Sequence, residues 1–107
     1  MARQSIPCSR SRASAAVAAA INQRFATAGQ RCTAAKRLFV HDAVYDAFRA
    51  ALVAATEQLA VGDPAQPGTF VGPVISAAAA QEIDARLDDA VARGARVACG
   101  HRREGNL

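Results

Sequence analysis

Large apolar residues recur at helical spacing in three stretches of the chain and cluster without spacing in two others. Val17, Ile21 and Phe25 lie four apart, with Ala20 and Ala28 beside them, so one face of a helix from about 13 to 28 is apolar. Gly29 supplies its stop, because glycine takes the left-handed conformation that closes helices. Val44, Phe48, Leu52 and Leu59, with Tyr45 at the rim, mark a second helix capped by Asp42 and running to about 59, where VGDPAQPGT breaks it. Ile83, Leu87 and Val91 mark a third from about 77 to 93, opened by Ser76 and closed by Gly94. The segments around RLFV, 36 to 40, and ARVAC, 95 to 99, are bulky and apolar and read as short buried strands.

The order helix, strand, helix, helix, strand predicts an α/β fold, a layered domain with crossover connections and a parallel sheet. Two strands leave that sheet incomplete, with open edges and helices short of surface to cover, so the pattern is expected to be part of a larger domain. A length of 107 residues allows one modest domain. Alanine supplies much of the 51% hydrophobic content, which makes the expected core shallow. The opening MARQSIPCSRSRA, residues 1–13, is a polar, arginine- and serine-rich lead expected to be disordered, and residues 14–107 form the folded unit.

The net charge of +4 raises the question of nucleic acid. Acidic residues intersperse among the basic ones, no aromatic residues alternate with them, and no zinc-finger spacing occurs, so nucleic-acid binding is not expected. No apolar run approaches the roughly 18 residues that span a bilayer, so no membrane partner is expected. The basic, alanine-rich start has too weak an apolar part for an export leader and merges into the first helix. Cys8, Cys32 and Cys99 are odd in number and far apart, which suits a reducing compartment and a cytoplasmic location.

Cys32 stands in GQRCTAAKRLFV, between the end of the first helix and the first apolar cluster. A cysteine nucleophile needs an accessible loop, help towards thiolate, and a donor for the oxyanion formed on attack at a carbonyl. Gly29 permits a sharp bend, Arg31 and Lys36 are nearby positive charges if their side chains turn inward, and backbone N–H groups around Cys32 are potential oxyanion donors. The competing reading is a small buried residue beside a strand, the usual fate of free cysteine. His41, past the apolar cluster, suits a cap or surface position better than a catalytic base.

The run RFATAGQRCTAAKRLFVHDAVYDAF, followed by LAVGDP, VGPVIS and AVARGARVACG, resembles the catalytic domain of the NAD(P)-dependent aldehyde dehydrogenase superfamily over about residues 14–107. By that resemblance Cys32 is the catalytic nucleophile and its own backbone N–H an oxyanion donor, while Phe25, Gly29 and Gln30 are the supporting motif residues. No residue of this chain is implied in cofactor or metal binding. Cys8 and Cys99 match no catalytic position. The resemblance implies a thiohemiacetal formed on an aldehyde, hydride transfer to NAD or NADP, and hydrolysis of a thioester to the acid. It also implies that the general-base glutamate, in a Glu-Leu-Gly-Gly-Lys type motif, and the second oxyanion donor, an asparagine, lie upstream. The Rossmann-like cofactor domain does too, and a second glutamate lies beyond Leu107. The chain is therefore expected to be inactive alone and to bind cofactor poorly. GQRCTAAKR resembles the semialdehyde-oxidising branches. A self-associating or partner-binding piece, sticking through open edges and apolar faces, is the alternative. A redox-active thiol protein is disfavoured because no resolving cysteine lies near Cys32.

Overall fold

The computed structural model describes residues 10–107, with side chains from residue 14 onward. Helix α1 spans Arg10–Phe25 and gives way to a tight turn, Ala26–Gly29, whose backbone is not that of a right-handed helix. Helix α2 spans Asp42–Glu57 and α3 spans Ala77–Ala92. The part of the expected polar lead before Arg10 lies outside the described residues, and Arg10, Ser11 and Arg12 are helical.

The helix boundaries follow from local chemistry. At α2 the cap is His41 rather than Asp42: its Nδ1 accepts the Ala43 N–H at 3.1 Å, and Asp42 falls inside the first turn. Ser76 caps α3 as its sequence predicts, with Oγ accepting the Ala79 N–H at 3.1 Å. At the other end Gly94 takes φ +98°, its N–H donates to Val91 O at 2.9 Å, and the Ala95 N–H reaches Ala90 O at 2.9 Å. That pair of bonds is the Schellman closure, which glycine makes without a Cβ clash.

The expected parallel sheet is not formed. Among the described residues there is no strand, and the β pairing present is an isolated parallel bridge between Val61 and Val71. Residues 36–40 and 95–98 carry no regular hydrogen bonding. A strand exists only when a neighbour takes up its N–H and C=O groups, and neither segment has one. Their apolar side chains stay in solvent: Leu38 is 47% exposed, Phe39 94% and Val97 46%.

Helix α1 packs on α2, and α3 stands apart from both. Among the described residues, those buried are Val17, Ala20 and Ile21 on α1, Ala34 just past Cys32, and Ala80 on α3. Val17 and Ile21 alone in this group carry more than a methyl, each worth about 1.5–3 kcal/mol when fully buried. The α3 face of Ile83, Leu87 and Val91 remains exposed. The radius of gyration, 16.1 Å, exceeds the roughly 13 Å of a compact domain of about 100 residues. The 62–70 loop is closed at its base, where Phe70 N–H and Val71 N–H donate to Ala60 O at 2.9 and 3.0 Å, and Gly62 N–H donates to Val71 O at 3.0 Å. The C-terminal tail is tied back by Val74 N–H to Asn106 O at 2.9 Å and by the Arg103–Asp84 ion pair at 2.8 Å.

Candidate active site

The turn that carries Cys32 begins with three consecutive left-handed residues. Thr27 has φ +57° and ψ +35°, Ala28 φ +53° and ψ +31°, and Gly29 φ +71°. A left-handed residue with a Cβ costs about 1–2 kcal/mol, and for β-branched threonine the conformation is an outlier. Glycine is required at position 29 for a further reason. A Cβ there would sit 3.0 Å from the Arg24 carbonyl oxygen and 3.6 Å from its guanidinium. The chain thereby doubles back on α1, and Ala35 N–H donates to Gln23 O at 3.3 Å.

Cys32 sits at the exposed tip of the turn 31–34, which Ala34 N–H closes onto Arg31 O at 3.1 Å. Buried Ala34 anchors the return. The Cys32 N–H meets no protein acceptor among the described residues. The reading of Cys32 as a small buried residue therefore fails. Arg31 and Lys36 are exposed and form no ion pair among the described residues. Phe25 is half-buried where α1 ends.

Gln30 does more than its place in the motif suggests. Its Nε2 donates to Thr27 O at 3.1 Å, as does its backbone N–H at 3.1 Å, and its Oε1 accepts the N–H of Ile75 at 2.9 Å. The side chain thus joins the turn to the VGPVIS segment, 45 residues away. Sequence spacing could not show that contact, and it gave no sign that Arg24 lies over Gly29.

Cys32 lines none of three surface hollows among the described residues. One, about 530 Å³, lies between the end of α2 and the tail and is lined by Glu57, Cys99, His101 and Arg102 among others. A second, about 490 Å³ and mostly apolar, lies between α1, α2 and residues 35–40. Cys99 is half-buried in the first, and Cys8 lies outside the described residues. No group of His, Cys, Asp and Glu among the described residues is arranged to hold a metal. Nor is any helix there long and apolar enough to cross a membrane.

The aldehyde dehydrogenase family is matched over residues 8–107. The chain belongs to that family. Sulfoacetaldehyde dehydrogenase of Neptuniibacter caesariensis is 58% identical over 91 residues, covering 85% of this chain and 20% of that protein. Succinate-semialdehyde dehydrogenase (NADP(+)) of Escherichia coli is 42% identical over 95 residues, 86% of this chain and 20% of that protein. Among solved structures, an NADP-dependent enzyme of E. coli superposes with a TM-score of 0.83 at 40% identity, over 89% of this chain and 20% of that one. The chain thus spans about one fifth of the length of the relatives it matches.

Proposed function

We propose that this chain is the nucleophile-bearing part of an aldehyde dehydrogenase, with Cys32 the group that attacks the aldehyde. The observation that carries the reading is the exposed Cys32 turn, held by a glycine that cannot be replaced without strain, inside a family match that runs to residue 107. The Cys32 sulfur adds as thiolate to the carbonyl carbon, forming a C–S bond while the carbonyl π pair moves to oxygen. The Cys32 backbone N–H, unoccupied by any described protein acceptor, donates to that oxyanion. Protonation of the oxygen gives a thiohemiacetal.

Oxidation beyond that point needs a two-electron acceptor, and relatives carry NADP in their names. The described residues do not fit a dinucleotide: they contain no strand leading through a glycine-rich loop into a helix, the usual cradle for its phosphates. Reaction in this chain alone therefore stops at the thiohemiacetal. The relatives' names include sulfoacetaldehyde and succinate semialdehyde, so an aldehyde bearing a second, anionic group is the substrate class we assign. A cytoplasmic setting suits the free thiols of Cys32 and Cys99.

The test adds succinate semialdehyde labelled with ¹³C at the aldehyde carbon to the 107-residue chain and to Cys32→Ala, with and without NAD or NADP. A thiohemiacetal carbon signal in the wild type, absent in the variant, and no reduced cofactor in either, are expected. Turnover that depends on Cys32, or an adduct that survives Cys32→Ala, would overturn the assignment.

A second reading has its own support. Phe39 at 94% and Ile75 at 86% exposure are large apolar side chains, and residues 36–40 form no backbone pairing among the described residues. In that reading the segments 36–40 and 95–99 complete the layered parallel sheet by pairing with strands of another polypeptide or another copy. Sedimentation that shifts to larger species with concentration, and less so in Phe39→Asp, would support it.

A further inference from the structure

We infer that Gln30 is a positioning residue for the nucleophile turn, acting as a side-chain clamp between the backbone before Cys32 and the segment leading into α3. The inference rests on the reading of Cys32 as nucleophile and assigns the turn a support that lies far away in sequence. Three observations carry it.

The first is the demand for support. Thr27 and Ala28 are held left-handed with their Cβ atoms in place, a strained path that persists only where surrounding contacts fix it. The second is the scarcity of other supports. Cys32 and both of its neighbours are exposed, and apart from buried Ala34 and the Ala35–Gln23 bond the turn has little packing beneath it. The third is the bonding of the Gln30 amide, which uses both ends. Nε2 donates to Thr27 O inside the strained turn at 3.1 Å, and Oε1 accepts the Ile75 N–H at 2.9 Å.

A carboxamide is suited to this task because it offers a donor and an acceptor on one rigid plane. Glutamate would keep the acceptor for Ile75 but place a second acceptor against Thr27 O. Methionine would keep much of the length and lose both bonds. On the far side, Ile75 directly precedes Ser76, whose Oγ caps α3. The clamp therefore makes the path of the Cys32 turn depend on where α3 begins, although α3 packs on neither of the other helices.

The experiment follows backbone amides by NMR in the 107-residue chain, in Gln30→Met and in Gln30→Glu. In the wild type the Ile75 amide should exchange at least tenfold more slowly than an unstructured amide, despite the 86% exposure of that residue. Gln30→Met should abolish that protection and lower the Cys32 amide order parameter from the rigid range, about 0.85, to below about 0.6, with the α1 and α2 signals unchanged. Gln30→Glu, which keeps the Ile75 acceptor but loses the Thr27 bond, should leave Ile75 protection between that of wild type and that of Gln30→Met. An unprotected Ile75 amide in the wild type overturns the inference and needs no variant. So does a Cys32 amide that stays rigid in Gln30→Met, or Ile75 protection in Gln30→Glu equal to that of wild type. None of these readouts uses aldehyde or cofactor, so failure of the proposed chemistry leaves the clamp standing, and failure of the clamp leaves the role of Cys32 as it was.

Discussion

Adjacent substitutions in the Cys32 turn should move stability in opposite directions. At Gly29, φ is +71° and an added Cβ meets the Arg24 carbonyl oxygen at 3.0 Å, a backbone atom that cannot swing aside. The left-handed conformation costs a residue with a Cβ about 1–2 kcal/mol, and the lost freedom of the unfolded chain returns about 0.4–1 kcal/mol. With the enforced shift of the turn against Arg24 added, at the low end of about 1–3 kcal/mol for overpacking, Gly29→Ala should destabilise by about 1–2 kcal/mol. Ala28→Gly removes a Cβ from a left-handed residue, φ +53°. Relief of the same strain, less the entropy glycine brings to the unfolded chain, leaves a gain of about 0.5 kcal/mol. Tyr45, the one tyrosine in a chain without tryptophan, lies on α2 and reports the α1–α2 pair, so its fluorescence in a urea titration reads both variants. Shifts of the same sign, or a Gly29→Ala midpoint equal to wild type, would refute the account of the turn.

Two further outcomes follow from burial. Ile21→Ala truncates a large buried side chain on α1 and should cost about 2 kcal/mol, the low end for such truncations, read by the same titration. Cys32 is exposed and Cys99 half-buried, so a brief iodoacetamide reaction of the native chain, read by mass spectrometry, should label Cys32 faster; equal labelling of the two would contradict the exposed turn.

The three helices were legible because their signals are local. Apolar spacing four apart, Ser76 as a cap and Gly94 as a stop each act within one turn of chain, and α3 spans Ala77–Ala92 where 77 to 93 was expected. Asp42 misled because His41, one residue earlier, also offers an acceptor and takes the extended conformation of a cap. The two strands were misread for a different reason. RLFV and ARVAC have the composition of buried strands, but a strand is a relation between segments, and these 98 described residues hold no neighbour for either. At the site, Cys32, Gly29 and Gln30 could be picked out by motif. The partner of Gln30 could not, since its bond to Ile75 joins a side chain to a backbone N–H, and any residue but proline supplies that donor.

The closed base of the 62–70 loop divides the molecule into halves that can be moved apart in sequence without being moved apart in space. Ala60, Gly62, Phe70 and Val71 hold the neck through backbone bonds, while Asp63 to Gly68 lie outside it in solvent. Lengthening a loop whose ends are already pinned costs only about 0.6 kcal/mol per doubling. The stretch from Asp63 to Gly68 is therefore an insertion seam: a tag, a linker or a guest domain placed there would leave both the Cys32 turn and the start of α3 where Gln30 joins them.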